Sequence, residues 1–388
     1  MTAADQLPIY DGLRVLDLSR ILAGPWLGQT FADLGADVVK IESPAGDDTR
    51  QWGPPFVDRP GADGEADPRA TAAYFYACNR GKRSVVADFR NPEDLAAVQR
   101  LAVRADVIIE NYKVGGLAKF GLDYASVAAA NPGVVYASIT GFGQDGPRAE
   151  QPGYDLLIQG MSGIMDITGD AGGEPQKMGV AFADIFTGLY GVIGVQAALA
   201  ERQKSGRGQH IDLALFDAMS AVLANQALNF MVSGTAPSRK GNRHPNLVPY
   251  EVFACADGHL IIATGNDRQF AALCTVLGLH DLPEDPAYAS NAARIENVEA
   301  LAGKINAAAS WFRRAELIDQ LLAAGVPAGP INTIAQAQAD PQFMHRSVAI
   351  EPEGVPGLRT PLNFSESPLR VTKTAPALGA STFDDLDW

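Results

Sequence analysis

Short apolar runs alternate with amphipathic stretches along the first half of the chain. The runs LRVLDLS, DVVKIES, RSVVADF, DVIIENY and VVYASIT are rich in β-branched residues and predict buried strands. Between them, PWLGQTFADLG has Pro25 in its first turn and Gly35 at its end, and PEDLAAVQRLAVRA begins with acidic residues, which is typical of helices. The alternation predicts an α/β fold with a doubly wound, mostly parallel, Rossmann-like sheet.

The pattern continues with predicted helices at 155–168, 184–204 and 217–233 and then changes in the connector GTAPSRKGNRHPNLVPY, which is rich in Pro, Gly and basic residues. Beyond the connector, YEVFACADGHLIIAT alternates like a hairpin that turns at Asp257 and Gly258, and helical stretches follow. We therefore expect a large domain over 1–225, a linker with a smaller α+β domain over 226–334, and a C-terminal segment, 335–388, that returns to the large domain.

The charge balance limits the possible partners. The chain has 388 residues with 45 acidic and 31 basic side chains, a formal charge of -14, which argues against nucleic acid or an anionic membrane surface as a partner. An anionic ligand would need a locally basic site. Three scattered cysteines give no disulfide framework or metal cluster, and the N-terminus lacks a basic start and an apolar core, so we expect a cytoplasmic protein without a metal.

Familiar catalytic and nucleotide-binding motifs are missing or out of context. The sequence contains no G-x-S-x-G, no H-E-x-x-H and no P-loop, and its five histidines do not have metal-ligand spacing. GFGQDG, residues 141–146, follows a predicted strand, but Pro147 and RAEQPG come next instead of a helix. A dinucleotide site at this position is therefore not expected.

One acidic residue stands out in the apolar stretch GVAFADIFTGLYG. Asp184 precedes a helix that carries Gly188, Gly191 and Gly194 at three-residue spacing. The carboxylate could be a helix N-cap, with glycines that allow close helix packing. Alternatively, a carboxylate in a dry pocket at a helix N-terminus would stay ionised and could attack a thioester. The residues themselves leave both interpretations open.

Seven blocks in one order resemble the class III CoA-transferases, the family of formyl-CoA transferase and carnitine CoA-transferase. The blocks are LRVLDLSRILAGPWLGQTFADLGADVVKIESPAGDDTRQWGPPF, CNRGKRSVVADFRNPED, ADVIIENYKVGGLAKFGLDY, NPGVVYASITGFGQDGP, PGYDLLIQGMSGIMDITG, VAFADIFTGLYG and GNRHPNLVPYEVFACADG. The resemblance covers nearly the whole chain. It implies that Asp184 is the catalytic aspartate and that the large domain binds CoA.

The resemblance also implies a mechanism and an assembly. The aspartate attacks an acyl-CoA to form an aspartyl anhydride and then an aspartyl-CoA thioester, from which an acceptor acid obtains the CoA. Carboxylates and thiolates both attack and leave readily, so this route requires no strong general base and no cofactor. Members of the family form interlocked homodimers, which implies the same for this chain.

The resemblance further assigns positions in the CoA site. The expected CoA-binding residues are Ile21, Leu22, Ala23, Arg90, Asn111, Tyr112, Lys119 and Phe120. Two positions depart from formyl-CoA transferase, since Ser43 replaces an arginine and Pro152 replaces a lysine. Some nucleotide contacts must therefore differ.

The expected acyl and acceptor pocket contains Arg50, Trp52, Tyr154, Gly241, Asn242 and Arg243. We hypothesise that Arg50 or Arg243 binds the second carboxylate of a dicarboxylic acid, because a planar guanidinium matches that group. Gly241 and Asn242 match the family's glycine-bearing loop over the site, although a plain domain linker would look similar. GDDTRQWGPPF resembles dicarboxylate transferases, which favours succinyl-CoA as the donor.

Two other functions remain as alternatives. A 2-methylacyl-CoA racemase of the same superfamily would need a second base, and the histidine that those relatives carry before the GYDLL aspartate is Tyr154 here. A phenol, which titrates near pH ~10, is a poor base at neutral pH. A non-catalytic acyl-CoA-binding protein would use Asp184 only to cap its helix.

Overall fold

The computed structural model describes residues 7–57 and 70–388. In chain order, the helices and strands are β1 (Arg14–Asp17), α1 (Ala23–Asp33), β2 (Asp37–Glu42), β3 (Phe56–Val57), β4 (Thr71–Ala72), α2 (Ala73–Tyr76), β5 (Arg83–Val86), α3 (Pro92–Arg104), β6 (Val107–Glu110), α4 (Tyr124–Ala130), β7 (Val135–Thr140), α5 (Asp155–Ser162), α6 (Ile164–Ile167), α7 (Phe182–Ser205), β8 (His210–Ala214), α8 (Leu215–Val222), α9 (Ala224–Ser233), β9 (Tyr250–Cys255), β10 (Gly258–Ala263), α10 (Asp267–Val276), α11 (Asn291–Glu296), α12 (Val298–Ala309), α13 (Arg314–Ala323), β11 (Ala328–Pro330), α14 (Ile334–Gln338), α15 (Pro341–His345), β12 (Ala349–Ile350) and β13 (Gly357–Leu358).

The chain divides into two compact units. Unit 1 contains 1–164, 177–235 and 342–388, and unit 2 contains 165–176 and 236–341. Unit 1 is built on a six-stranded sheet in the order β5-β2-β1-β6-β7-β8, in which every neighbouring pair is parallel. The predicted α/β class with a mostly parallel sheet is confirmed, and the five strands predicted above lie in that sheet together with β8.

Both faces of the sheet are covered by apolar side chains. In β6, Val107 and Ile109 belong to the core cluster under α1 and α7, whereas Ile108 belongs to the cluster under α3 and α4. In β7, Val135 belongs to the cluster under α1 and α7, and Tyr136 belongs to the cluster under α3 and α4. Because both faces are buried, these strands appear in the sequence as continuous apolar runs.

Helix α7 crosses the core of unit 1 and packs closely on α1. A Cβ added at Gly188 would lie 2.8 Å from the Ala23 carbonyl oxygen, and one at Gly191 would lie 2.3 Å from Leu27 Cδ1. These glycines therefore allow close helix contact. By length and hydropathy α7 would also pass as a membrane span, but 44% of its most apolar stretch is buried and it contacts α1, α8, β7 and β8, as a core helix does.

Two predicted helices are interrupted. The stretch predicted over 155–168 forms α5 and α6, separated by Gly163 at φ +93. The stretch predicted over 217–233 forms α8 and α9, which meet at a bend of 75°, with Ala224 at φ +43. Apolar periodicity continues through both interruptions, so the sequence pattern could not show them.

Unit 2 contains a three-stranded antiparallel sheet, β11-β10-β9, with helices packed on it. The hairpin predicted at Asp257 and Gly258 is present between β9 and β10. Phe253, Leu260 and Ile262 lie at the centre of its own core and are fully buried. Unit 2 thus has the apolar core of an independent α+β module.

The C-terminal segment packs on the β5 edge of the large sheet. The Ser381 N–H donates to the Ser84 carbonyl oxygen at 3.0 Å, and Trp388 Nε1 donates to Asp37 Oδ2 at 2.6 Å. Trp388 is buried against the α3 side of the sheet. These contacts cover the edge strand and keep its free backbone groups from pairing with another chain.

Candidate active site

A cavity of about 460 Å³ opens in unit 1 at the carboxyl ends of three adjacent strands, β1, β6 and β7. Its walls include Ile21 after β1, Asn111 after β6 and Gly141 after β7, together with Asp184 from α7. Open α/β sheets typically bind their ligands in such crevices beyond the strand ends. The order of the strands in the sheet therefore brings these distant segments to one site.

Asp184 is the third residue of α7 and is half-buried in the cavity wall. The N-cap position belongs to Ala181, and no side chain of the helix's own N-terminus caps it. The N-cap interpretation is therefore wrong. Asp155 takes the capping role instead, since its Oδ1 accepts the Ala183 N–H at 2.8 Å. The Asp184 carboxylate accepts the backbone N–H of Ala23, at the first turn of α1.

The pKa of Asp184 is raised to about 7, first because the carboxylate is removed from water and second because Asp155 repels its charge. The Ala23 N–H lowers the pKa but does not offset these two effects. The expectation that the helix N-terminus keeps Asp184 fully ionised is therefore not met near neutral pH. Raised pKa values of this kind are typical of reactive carboxylates in clefts.

The raised pKa of Asp184 predicts how the free energy of unfolding depends on pH. Between about pH 4 and 7 the folded protein holds the Asp184 proton while the unfolded chain has released it, so the free energy of unfolding falls as pH rises. We expect Asp184→Asn, which cannot ionise, to be more stable than wild type by about 2 kcal/mol at pH 8 and equally stable at pH 4. Urea denaturation of both proteins across this range measures the difference, and parallel stability profiles would contradict it.

Tyr74 is a residue of the site that the sequence analysis missed. Its pKa is raised to about 12, first by burial and then by the neighbouring charge of Asp184. Its ring meets that of Trp52 edge to face, with centroids 5.3 Å apart. Trp52 lines the cavity. In the stretch AYFYACN, nothing distinguishes Tyr74 from a core aromatic residue.

The turn Ser19–Ile21, which follows β1, is held entirely by side chains from outside it. Its three N–H groups donate to side-chain oxygens, and its three carbonyl oxygens accept from side chains. The five side chains involved are Asp17, Lys40, Asp47, Cys78 and Asn111. Ile21 has φ +73, a left-handed conformation that is costly for a β-branched residue. The surrounding contacts must stabilise it.

A buried ionic network lies beneath this turn. Lys82 Nζ donates to Asp17 Oδ2 at 2.8 Å, and also to the Pro25 carbonyl oxygen and Asn79 Oδ1. Lys40 Nζ lies 3.0 Å from Asp47 Oδ2. Burial alone would raise the pKa of Asp17, but Lys82 and Lys40 outweigh it and hold the pKa below its ordinary value. Asp17 and Lys40 are therefore held in their charged forms, whereas burial lowers the pKa of Lys82 despite its contact with Asp17. The network ties the end of β1 to β2 beneath the turn.

The structure brings some predicted CoA-binding residues to the cavity and not others. Ile21, Ala23, Asn111 and Tyr112 line it, and Leu22 is buried beside them at the start of α1. Three other predicted residues, Arg90, Lys119 and Phe120, lie outside the lining.

Aromatic contacts nevertheless connect Phe120 to Tyr112 in the cavity wall. Phe89 stacks on Tyr112 and packs edge to face on Phe120, whose ring lies below Lys119 Nζ at 4.8 Å. Arg90 is exposed and paired with Asp88. Tyr112 and Phe120 thus belong to one aromatic cluster at the rim of the cavity, on which a flat adenine ring could stack.

Arg50 does not have the role that the sequence suggested. Its guanidinium is buried, binds both oxygens of Glu42 at 2.8 and 2.7 Å, and lies over the Phe75 ring. It does not line the cavity. The hypothesis that Arg50 binds a substrate carboxylate is therefore not supported. Tyr154, which was also predicted for this pocket, lines the cavity and is 66% exposed.

The remaining predicted pocket residues lie in unit 2. Gly241 has φ +61, and its N–H donates to the Gly169 carbonyl oxygen at 3.0 Å. Asn242 is exposed in the same turn. Arg243 binds Glu251 at 3.1 Å and Glu299 at 2.6 Å. Its guanidinium therefore has two carboxylate partners already.

Because α7 and α1 are in close contact at Gly188, we expect a substitution there to affect both stability and activity. In Gly188→Ala the new methyl group would collide with the Ala23 carbonyl oxygen, which is backbone and cannot rotate away. We expect a loss of about 1–3 kcal/mol in stability and reduced activity, because the Ala23 N–H is the donor to Asp184. Thermal unfolding and turnover measure the two effects.

The matched control is Gly194→Ala on the same helix. Its new methyl group would lie 3.3 Å from Ile211 Cγ2, the end of a side chain that can shift. Alanine also favours the helix by about 1 kcal/mol over glycine. We expect near-wild-type stability and activity from this control. Equal behaviour of the two variants would contradict the role assigned to the Ala23 contact.

Comparisons with known proteins show similarity along nearly the whole chain. The chain matches the model of CoA-transferase family III over residues 10–382. It is 52% identical over 378 residues to a succinate–glutarate CoA-transferase of Agrobacterium fabrum, covering 96% of this chain and 93% of that protein. It is 36% identical over 386 residues to the succinyl-CoA:glutarate CoA-transferase of Mus musculus, covering 97% and 86%. A crystal structure of a CAIB/BAIF family protein from Brucella suis superposes with a TM-score of 0.87 at 56% identity and covers 97% of both chains.

Proposed function

Since the chain belongs to CoA-transferase family III, we propose that it transfers CoA from succinyl-CoA to a dicarboxylic acid such as glutarate. The expected family and CoA-transferase activity are confirmed by the match along nearly the whole chain. The substrates follow from relatives named for succinyl-CoA and glutarate. One structural observation carries the chemistry, namely the half-buried carboxylate of Asp184 in the wall of the cavity.

The residues that line the cavity favour carboxylate chemistry. Among the described lining residues there is no serine, cysteine or histidine, which favours a carboxylate as the nucleophile, and Asp184 is the lining carboxylate that the family resemblance assigns to this role. Its Oδ attacks the thioester carbonyl carbon, the C–S bond breaks, and CoA leaves as the thiolate while a mixed anhydride forms. The thiolate then attacks the aspartyl carbonyl carbon and releases succinate, which leaves an aspartyl-CoA thioester.

The second half of the reaction repeats these steps in reverse with the acceptor. An acceptor carboxylate attacks the aspartyl thioester and expels the thiolate, which then attacks the acceptor's carbonyl and frees Asp184. No proton is gained or lost overall, and each leaving group is a stabilised anion. The Ala23 N–H, which already donates to the Asp184 carboxylate, would stabilise charge on an aspartyl oxygen during each attack.

The alternative functions have less support. A racemase would need two bases facing one carbon atom, and the position that could supply the second is Tyr154, an exposed phenol. A non-catalytic binding protein would use Asp184 as a cap, but Asp155 fills that role. A transferase accounts for both observations.

A panel of acceptors tests the substrate proposal. Purified protein with succinyl-CoA should form glutaryl-CoA when glutarate is supplied, as measured by mass spectrometry of the CoA products. Formate, oxalate and carnitine serve as the contrasting acceptors. Product from these acids only, with none from glutarate, would reject the dicarboxylate proposal while leaving CoA transfer itself intact.

We also propose that the chain acts as an interlocked homodimer. Unit 1 exposes large apolar side chains on two helices, among them Ile193 on α7 and Met231 and Val232 on α9, which are 60%, 75% and 81% exposed. Such residues are typical of surfaces that a partner covers. Light scattering should give twice the mass of the chain, and Met231→Glu should weaken the assembly. A wild-type monomer at micromolar concentration would refute the proposal.

A further inference from the structure

A dicarboxylate substrate poses a problem of charge in this cavity. One carboxyl group of the substrate reacts with Asp184, and the other stays ionised and must be held close by. The described lining already contains four acidic residues, Asp48, Glu150, Asp155 and Asp184. Without a facing cation, a second carboxylate would be repelled there. This need for a cation depends on the dicarboxylate specificity proposed above.

The two arginines that the sequence suggested are already bound to protein carboxylates. Arg50 is buried against Glu42, and its removal from that pair would leave Glu42 buried and unpaired. Arg243 in unit 2 binds Glu251 and Glu299. Either arginine would have to give up an existing ion pair before it could bind a substrate.

Only two cationic side chains are found among the described residues that line the cavity, Arg20 and Lys113. Arg20 is 64% exposed, and its one side-chain partner in the described structure is Asp48, which Nη1 contacts at 2.8 Å. The edge formed by Nε and Nη2 makes no hydrogen bond to the described residues. That edge matches the two oxygens of a carboxylate, so a substrate could bind without displacing Asp48.

The backbone of Arg20 is fixed even though its side chain is exposed. Asn111 Oδ1 accepts the Arg20 N–H at 2.9 Å, and Asn111 Nδ2 donates to the Arg20 carbonyl oxygen at 2.7 Å. Three residues later, the Ala23 N–H donates to Asp184. The same short segment therefore carries the guanidinium and contacts the reacting carboxylate.

We propose that Arg20 binds the distal carboxylate of the dicarboxylic substrate through its Nε and Nη2 edge and so determines the preference for dicarboxylic over monocarboxylic acids. The proximal carboxyl group, or its thioester, then lies at Asp184. Monocarboxylic acids of the same length bind without this contact.

The test compares glutarate with valerate, which has the same five carbon atoms but lacks the distal carboxylate. With saturating succinyl-CoA, the ratio of kcat/KM for glutarate to that for valerate isolates the distal contact, because any effect on the donor cancels. We expect Arg20→Met to lower this ratio by about 100-fold, as the loss of charged hydrogen bonds predicts. Arg20→Lys keeps the charge but loses the two parallel N–H donors of the guanidinium, so it should lower the ratio by about 10-fold.

Lys113→Met is the matched control, since Lys113 lines the same cavity and also a neighbouring one. We expect it to change kcat/KM for both acids by the same factor and to leave the ratio near that of wild type. Circular dichroism should show all three variants folded, because Arg20 is exposed and its backbone contacts are retained.

The possible outcomes distinguish the role of Arg20 from the proposed dicarboxylate specificity. A ratio that stays unchanged in Arg20→Met would overturn the role of Arg20, and a uniform loss with both acids would assign Arg20 to the CoA moiety instead. A wild-type enzyme that does not prefer glutarate to valerate would overturn the dicarboxylate specificity itself, and with it the inference about Arg20. A collapse of the ratio in Arg20→Met but not in Lys113→Met supports the proposal.

Discussion

Asp184→Asn should reduce CoA transfer by about 10⁴-fold or more and leave the fold intact. The amide is close to the carboxylate in shape but is not a nucleophile, and removal of a covalent nucleophile typically costs this much. The Ala23 N–H can still donate to the side-chain oxygen of asparagine, so the cavity should keep its shape. Initial rates with succinyl-CoA and glutarate measure the loss, and isothermal titration with CoA checks that binding persists.

Hydroxylamine trapping connects this loss to a covalent intermediate. In wild type, incubation with succinyl-CoA and hydroxylamine should convert Asp184 to a hydroxamate that peptide mass spectrometry can identify. Asp48→Asn is the control, since Asp48 also lines the cavity but is paired with Arg20. Asp48→Asn should still be trapped at Asp184. An unmodified Asp184 in active wild-type protein would contradict the aspartyl mechanism.

Lys82→Met should lower the free energy of unfolding by about 3–5 kcal/mol, the usual cost of breaking a buried ion pair. Lys82 and Asp17 are both completely buried, and Lys82 Nζ uses all three of its hydrogens in bonds to Asp17, Pro25 and Asn79. Methionine matches the length of the side chain but leaves the Asp17 charge with less compensation. Urea denaturation at pH 7 measures the change.

Lys204→Met is the control for this stability prediction. Lys204 is 79% exposed, and its pair with Glu201 spans 4.0 Å in solvent, so its loss should change stability by less than about 0.5 kcal/mol. If Lys82→Met proved as mild as Lys204→Met, the buried network would not be a source of stability.

The large sheet could be predicted because its strands are buried on both faces. LRVLDLS and DVIIENY contain the apolar runs that are typical of a central strand, and they form β1 and β6 side by side. The interruptions at Gly163 and Ala224 could not be predicted, because apolar residues continue through them. Tertiary packing, not local propensity, determines where those helices break.

The site was predictable in part. Asp184 could be identified because a lone carboxylate in an apolar run is unusual, and the family blocks fix its position. Tyr74 and Arg20 were missed because their importance depends on which loops meet at the strand ends. A residue within a few positions of the end of a parallel strand, as Arg20 is three residues after β1, is the available signal. Arg50 was misassigned because a sequence does not show that Glu42 already occupies its guanidinium.

Side chains outside the turn Ser19–Ile21 hold the backbone of this turn. This affects how the enzyme could be changed to accept other acids. None of the hydrogen bonds that hold its backbone comes from the side chains of Arg20 or Ile21. New groups can therefore be introduced at these two positions while the main chain keeps its path. Libraries restricted to them should yield folded enzymes with altered acid preference far more often than libraries at the five supporting positions.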